Sequence, residues 1–195
     1  MSQPRPTAQG GEFALIALGS NAATIWGTAQ EAVLKGMIKC GLALGGDIVE
    51  SELYATPAFP AGAGPDFVNA AIRVRTDMDA DAIMAALHKI EAEAGRTRSV
   101  RWGQRTLDLD LIGLGGQILP DVQTHQAWRD LPLAQQLNST PDQLIVPHPR
   151  LQDRSFVLVP LAEVAPDWVH PVLGLTVTQM RDARPAVECA SVLPI

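Results

Sequence analysis

The chain has 195 residues, 47% of them hydrophobic and 18% charged, the make-up of one ordinary globular domain long enough to bury a real core. A formal net charge of −6 argues against broad binding to nucleic acid or to an anionic membrane, because both demand a large positive field. Cys40 and Cys189 lie far apart without His or Cys neighbours at metal spacing, which suggests neither a disulfide framework nor a zinc site and points to a reducing cytoplasm. Residues 1–12 are polar and carry prolines and glycines, so they read as a disordered lead-in rather than a signal peptide. No run reaches the roughly 18 apolar residues of a membrane span.

Phe13–Leu18 is a short apolar run ending at Gly19-Ser20-Asn21, the pattern of a buried strand leaving into a turn. Ile25, Ala29, Val33, Met37 and Cys40 recur at helical spacing and predict a helix from Thr24 to about Leu44, stopped by Gly45-Gly46. Ile48–Thr56 and Phe67–Thr76 read as strands joined by the Pro- and Gly-rich link Pro57–Pro65. A second helix, capped by Asp79 or Asp81, sends Ile83, Leu87, Ile90 and Ala94 inward and closes at Gly95. Leu107–Ile112 is the next strand. The stretch of about 113–143 is rich in Gln, Asp and Pro and reads as an insertion over one edge, with a short helix from Ala127 to Leu137. Pro147 and Pro149 hold His148 in a stiff turn, and a short apolar helix follows with Arg154 and Phe156 near its start. The tail from Pro171 onward shows no pattern. The order β-α-β-β-α-β predicts an α+β fold, a ferredoxin-like antiparallel sheet with two helices on one face and a C-terminal extension, with residues 13–195 forming one domain.

The chemistry concentrates in the run from Gly95 to Asp110. Four of the chain's twelve arginines, Arg96, Arg98, Arg101 and Arg105, fall within ten residues there together with Trp102. Strand side chains alternate, so Leu107, Leu109 and Leu111 share one face while Thr106, Asp108 and Asp110 share the other, the two carboxylates roughly 6.5 to 7 Å apart. Two acids so placed repel unless a cation lies between them. Mg²⁺ suits the position, being held by one or two carboxylates and completed by water and phosphate oxygens. The arginines supply planar, permanently charged forks for the remaining phosphate oxygens. A wet edge strand whose carboxylates pair with those arginines is the plainer reading, but it explains neither the Gly95 and Gly103 punctuation nor a tryptophan in a loop.

Seven motifs in order, Gly19-Ser20-Asn21, Tyr54-Ala55-Thr56-Pro57, Asp66-Phe67-Val68-Asn69-Ala70-Ala71, Glu91 with Gly95-Arg96, the run from Arg101 to Asp110, Pro147-His148-Pro149-Arg150, and Arg154-Ser155-Phe156 with Pro160-Leu161, resemble the 6-hydroxymethyl-7,8-dihydropterin pyrophosphokinase family of folate biosynthesis over residues 13–168. The resemblance implies transfer of the pyrophosphoryl group of ATP to the pterin hydroxymethyl oxygen, with AMP released. It implies two Mg²⁺ ions on Asp108 and Asp110, a phosphate clamp of Arg96 and Arg105, and nucleotide contacts from Glu91, Arg98, His148 and Arg154. Thr56, Pro57, Phe59, Phe67, Asn69, Trp102 and Phe156 would form the pterin pocket, aromatic faces sandwiching the flat bicycle and Asn69 reading its polar edge. Gln104 stands where the family usually has proline. The protein is expected to be a cytoplasmic monomer whose partners are ATP and the pterin. An RNA-binding sheet is a rival, disfavoured because the strand residues are acidic and so is the chain. A Mg²⁺-dependent phosphohydrolase or nucleotidyl transferase would explain the carboxylates but not the pocket.

Overall fold

A computed structural model of the chain describes residues 11–58, 64–95, 106–132, 135 and 139–195. Six described strands, β1 (Glu12–Ser20), β2 (Ile48–Glu50), β3 (Tyr54–Thr56), β4 (Phe67–Thr76), β5 (Asp108–Leu114) and β6 (Leu193–Pro194), form one antiparallel sheet. The order is β5-β1-β4-β3-β6, and β2 lies beside β3 on the same flank of β4. The helices whose bounds lie within the described residues are α1 (Ala29–Leu44), α2 (Ala80–Glu93), α3 (Val122–Arg129), α4 (Ser155–Val164), α5 (Val177–Asp182) and α6 (Ala186–Ala190).

The period-two alternation of β1 and β4 feeds two cores. Ile16, Leu18, Ile72 and Val74 meet Val33 and Met37 of α1 and Ile83, Leu87 and Ile90 of α2 on one face. On the other face Leu15, Ala17, Ala71 and Ile112 meet Val157, Leu158, Leu161 and Val164 of α4, with Val177 and Met180 of α5 behind them. The expectation of helices on one face therefore holds for α1 and α2 alone. The C-terminal segment is a second covering layer, and its last residues return as β6 to pair with β3.

Local chemistry explains where the boundaries moved. Thr24 and Gly27 close a tight bridge, so α1 waits for Thr28, whose side chain caps Glu31 N–H while Glu31 reaches back to Thr28 N–H. Gly45 and Gly46 end it with φ of 153° and 86°. The strand expected over Ile48–Thr56 is broken by a bulge, since four steps from Glu50 to Tyr54 oppose three from Ile72 to Asn69. Ser51 bridges the break, donating its N–H to Ala71 O and accepting Ala71 N–H at its Oγ. The described insertion helix starts earlier than the expected Ala127 because Asp121 caps it through Thr124 N–H, and it ends at Asp130, ahead of Pro132; of the remainder expected to Leu137, residues 133–134 and 136–137 lie outside the described residues.

Candidate active site

The open end of the second face has a floor made by one rung of the sheet. Gly19 of β1 pairs with Asp108 of β5 on one side and with Asn69 of β4 on the other, and paired residues in an antiparallel ladder point to the same face. A Cβ on Gly19 would stand 3.2 Å from Asn69 Oδ1, so the glycine lets the amide lie low across the rung. On the next rung Asp110 pairs with Ala17 and Ala17 with Ala71, where the second core begins. The acids of β5 thus sit at the rim of a floor of small side chains. Asp108 and Asp110 are half-buried, while Leu109 and Leu111 between and beyond them are sealed in the first core, as alternation predicts.

β5 is the sheet's end strand, and its free edge is closed from beneath. Glu91 of α2 is only 3% exposed, and its Oε1 accepts Leu109 N–H at 2.9 Å, between the two aspartates. Ser20 holds the strand's entry by donating its Oγ–H to Thr106 O at 2.6 Å. Thr106 Oγ1 is buried with no hydrogen-bond partner among the described residues.

One wall is the turn at His148. The β1–β5 register slips so that Leu15 and Ile16 face Gly113 and Leu111, leaving Ile112 outside the ladder. Its carbonyl instead accepts His148 N–H at 2.9 Å. Arg150 N–H donates to His148 Nδ1 at 3.1 Å, which fixes the ring as the neutral tautomer with its proton on Nε2. Burial pushes the His148 pKa down to about 3, and the Arg154 and Arg150 charges push the same way. The ring is therefore a neutral polar group at physiological pH. Arg154 stands at the N-cap of α4, with Nη1 4.0 Å from Asp110 Oδ2 and its guanidinium 5.9 Å from the centre of the half-exposed Phe156 ring. The N-cap residue makes no side-chain cap hydrogen bond, and its guanidinium reaches toward Asp110.

The other wall comes from β3 and β4. Thr56 pairs with Phe67, and Asn69 Nδ2 donates to Thr56 Oγ1 at 2.8 Å in a buried bond. This orients the amide and joins three of the expected pocket residues on one face; Pro57 follows in an exposed position. Tyr54, on that face beside Asn69, donates its hydroxyl to Glu163 of α4 and so ties the wall to the covering helix. Phe59, Arg96, Arg98, Trp102 and Arg105, together with Gln104, lie outside the described residues. The structure brings Asp108, Asp110, His148, Arg154, Thr56, Phe67 and Asn69 to the open end of one face and places Glu91 under the strand. Sequence reasoning did not single out Gly19, which makes the floor, Ser20, which ties down β5, or Arg150, which fixes the His148 tautomer. Each lies inside a motif that it did quote.

Two adjacent half-buried carboxylates fit a hard divalent cation, and the incomplete set fits one that shares its shell with phosphate oxygens. Among the described residues no three His, Cys, Asp or Glu side chains converge into a protein-only cage, and no helix is long and apolar enough to cross a membrane.

This sheet and its helices define an α+β class that includes the wild-type HPPK-DHPS of Plasmodium falciparum, which the chain matches with a TM-score of 0.60 at 14% identity over 90% of its length. The chain spans 45% of that polypeptide, and at such low identity the likeness speaks for the fold alone. Sequence carries the assignment further: the family model of 7,8-dihydro-6-hydroxymethylpterin-pyrophosphokinase (HPPK) matches residues 15–166, and the chain belongs to that family. A 2-amino-4-hydroxy-6-hydroxymethyldihydropteridine pyrophosphokinase of Synechocystis sp. is 35% identical over 184 residues, covering 93% of this chain and 80% of that protein. The folic acid synthesis protein fol1 of Pneumocystis carinii is 32% identical over 183 residues, which are 94% of this chain and 22% of that much longer one.

Proposed function

We propose that the protein transfers the pyrophosphoryl group of ATP to the hydroxymethyl oxygen of 6-hydroxymethyl-7,8-dihydropterin, a step of folate biosynthesis. The pterin oxygen attacks the β-phosphorus, the bond from that phosphorus to the α–β bridging oxygen breaks, AMP leaves, and the hydroxyl proton is released. The observation that carries this reading is the rung Asp108–Gly19–Asn69, which puts a carboxylate and an amide on one floor of a chain from this family.

In this reading Asp108 and Asp110 hold two Mg²⁺ ions, which when bound neutralise phosphate charge and orient the attacking and leaving oxygens. Arg154 and the α4 N-terminus stabilise anionic oxygens beside Asp110, and the neutral His148 contributes a hydrogen bond rather than a second positive charge. Glu91 acts through the strand, holding Leu109 and with it the spacing of the aspartates. Asn69, oriented by Thr56, reads the polar edge of the pterin, and Phe67 and Phe156 with Pro57, Phe59 and Trp102 enclose its faces. Arg96 and Arg105 clamp the transferred group, and Arg98 contacts the nucleotide. Positioning and charge neutralisation supply most of the acceleration.

The strand order supports a ferredoxin-like reading of the sheet, if β2 and β3 count as one bulged strand. Residues 13–195 are read as one domain with an insertion at about 113–143, acting as a cytoplasmic monomer without nucleic acid or membrane. The free Cys40 and Cys189 are in keeping with a reducing compartment.

Incubation with ATP, Mg²⁺ and the hydroxymethyl dihydropterin tests the reaction. AMP forming only when the pterin is present supports it; ADP, bare phosphate or pterin-independent turnover rejects it.

A further inference from the structure

Helix α3 belongs to the insertion and is polar, yet one of its side chains is fully buried, and it is a histidine. Apart from the partly buried Trp128, the helix has little apolar surface with which to dock. His125 Nε2 lies 3.0 Å from Pro147 O, and because a carbonyl only accepts, the proton of this ring is on Nε2. Burial lowers the His125 pKa and keeps the ring neutral. Its Nδ1 is buried with no hydrogen-bond partner among the described residues, so the donor to Pro147 is the polar contact the ring makes there.

Pro147 is the residue before His148. The insertion also clamps the residue before that, with Leu119 N–H donating to Val146 O at 2.7 Å and Val146 N–H to Leu119 O at 3.2 Å. From Val146 to His148 the backbone polar groups are thus taken by the insertion, by Ile112 of β5 and by the following turn, where Leu151 N–H meets His148 O. Behind His125 stands His170, its ring centre 5.7 Å away, with Nδ1 accepting the N–H groups of Val172 and Leu173. His125 therefore has a packed back and one functional front.

We infer that His125 is a positioning residue for the nucleotide side of the site: by donating to Pro147 O it sets the His148 turn, and presenting that donor is what the 113–143 insertion does. This rests on the reading of His148 as a nucleotide contact.

The test uses the full-length protein with His125→Phe, which keeps the ring and removes the donor, and His125→Gln, whose amide restores one. Steady-state kinetics are expected to show an ATP KM raised about tenfold in His125→Phe with kcat changed less than about twofold, and recovery of most of that loss in His125→Gln. Nitrogen-resolved NMR of the histidine rings is expected to show the His148 Nε2–H tautomer in the wild type and in His125→Gln, and a shifted or mixed signal in His125→Phe. An unchanged ATP KM in a folded His125→Phe overturns the inference, as do equal losses in the Phe and Gln variants or an undisturbed His148 signal. If His125→Phe does not fold, His125→Gln alone decides it: near-wild-type ATP KM and His148 signal support the role, and a tenfold rise in KM in a folded protein contradicts it. A wild type that forms no AMP with the pterin would instead reject the proposed reaction, and the ring spectra would still report on the His148 turn.

Discussion

The two faces of the sheet use the same strands for opposite ends. On the α1/α2 face, the strand residues that meet the helices are apolar, and α1 and α2 pack over β1, β4 and β5; among the described residues the one buried carboxylate there, Glu91, serves the edge of β5. On the α4 face the core covers only part of the strands, and where the helix begins the sheet residues change from Leu15, Ala17 and Ala71 to Gly19, Asn69, Asp108 and Asp110. A strand with period two can therefore carry structure and chemistry in alternate positions, with the rigidity of one face fixing the spacing of the other.

Substitutions that touch one face only should separate these roles. On the open face, Asp108→Ala or Asp110→Ala should lower kcat roughly a thousandfold or more while leaving the thermal midpoint within a few degrees of wild type. A fall in stability that matched the lost activity would merge the two faces. On the closed face, Leu87→Ala empties a fully buried site and should cost about 3 kcal/mol in denaturant unfolding, with KM values unchanged in the folded enzyme. Glu91→Leu lies between the two and leaves Leu109 N–H without its acceptor, so a loss of about 2 kcal/mol should accompany a drop in kcat. Glu91→Gln keeps an acceptor oxygen and should be milder in both. Gly19→Val puts a branched side chain where even a Cβ is tight against Asn69, and should raise the pterin KM about tenfold while sparing the ATP KM. Stability should also depend on pH. Burial pushes His170 down to about 4 and His148 to about 3 from an ordinary 6.5. The unfolded chain then binds protons that the folded one refuses, so stability is full above pH 6.5 and declines as pH falls toward 4. A thermal midpoint that rose over that interval would reverse the sign.

Much of this was legible in the chain. Phe67–Thr76 alternates so regularly that β4 has the bounds read from sequence, and the Leu-Asp-Leu-Asp alternation told which face of β5 is wet. What stayed hidden depends on partners distant in sequence. The bulge that frees Ile112 O for His148 is a matter of register between β1 and β5, and no local pattern encodes it. The two-residue β6 is too short to show periodicity, and His125 looks like any surface histidine until Pro147 O is brought to it. Glu91 was picked out by motif as a nucleotide contact, whereas its contact with Leu109 N–H follows only from packing α2 against the free edge of β5.

In the proposed arrangement Asp108 and Asp110 form the metal platform, and Gly19 and Asn69 beside them form the pterin floor. Crystals grown with Mn²⁺, a non-hydrolysable ATP analogue and the pterin, with data collected at the manganese absorption edge, test it most directly. Anomalous peaks are expected at both carboxylates, shared with phosphate oxygens, with the pterin ring over Gly19 and its polar edge on Asn69. Manganese bound away from the Asp108–Asp110 pair, or a pterin seated elsewhere on the sheet, would contradict it.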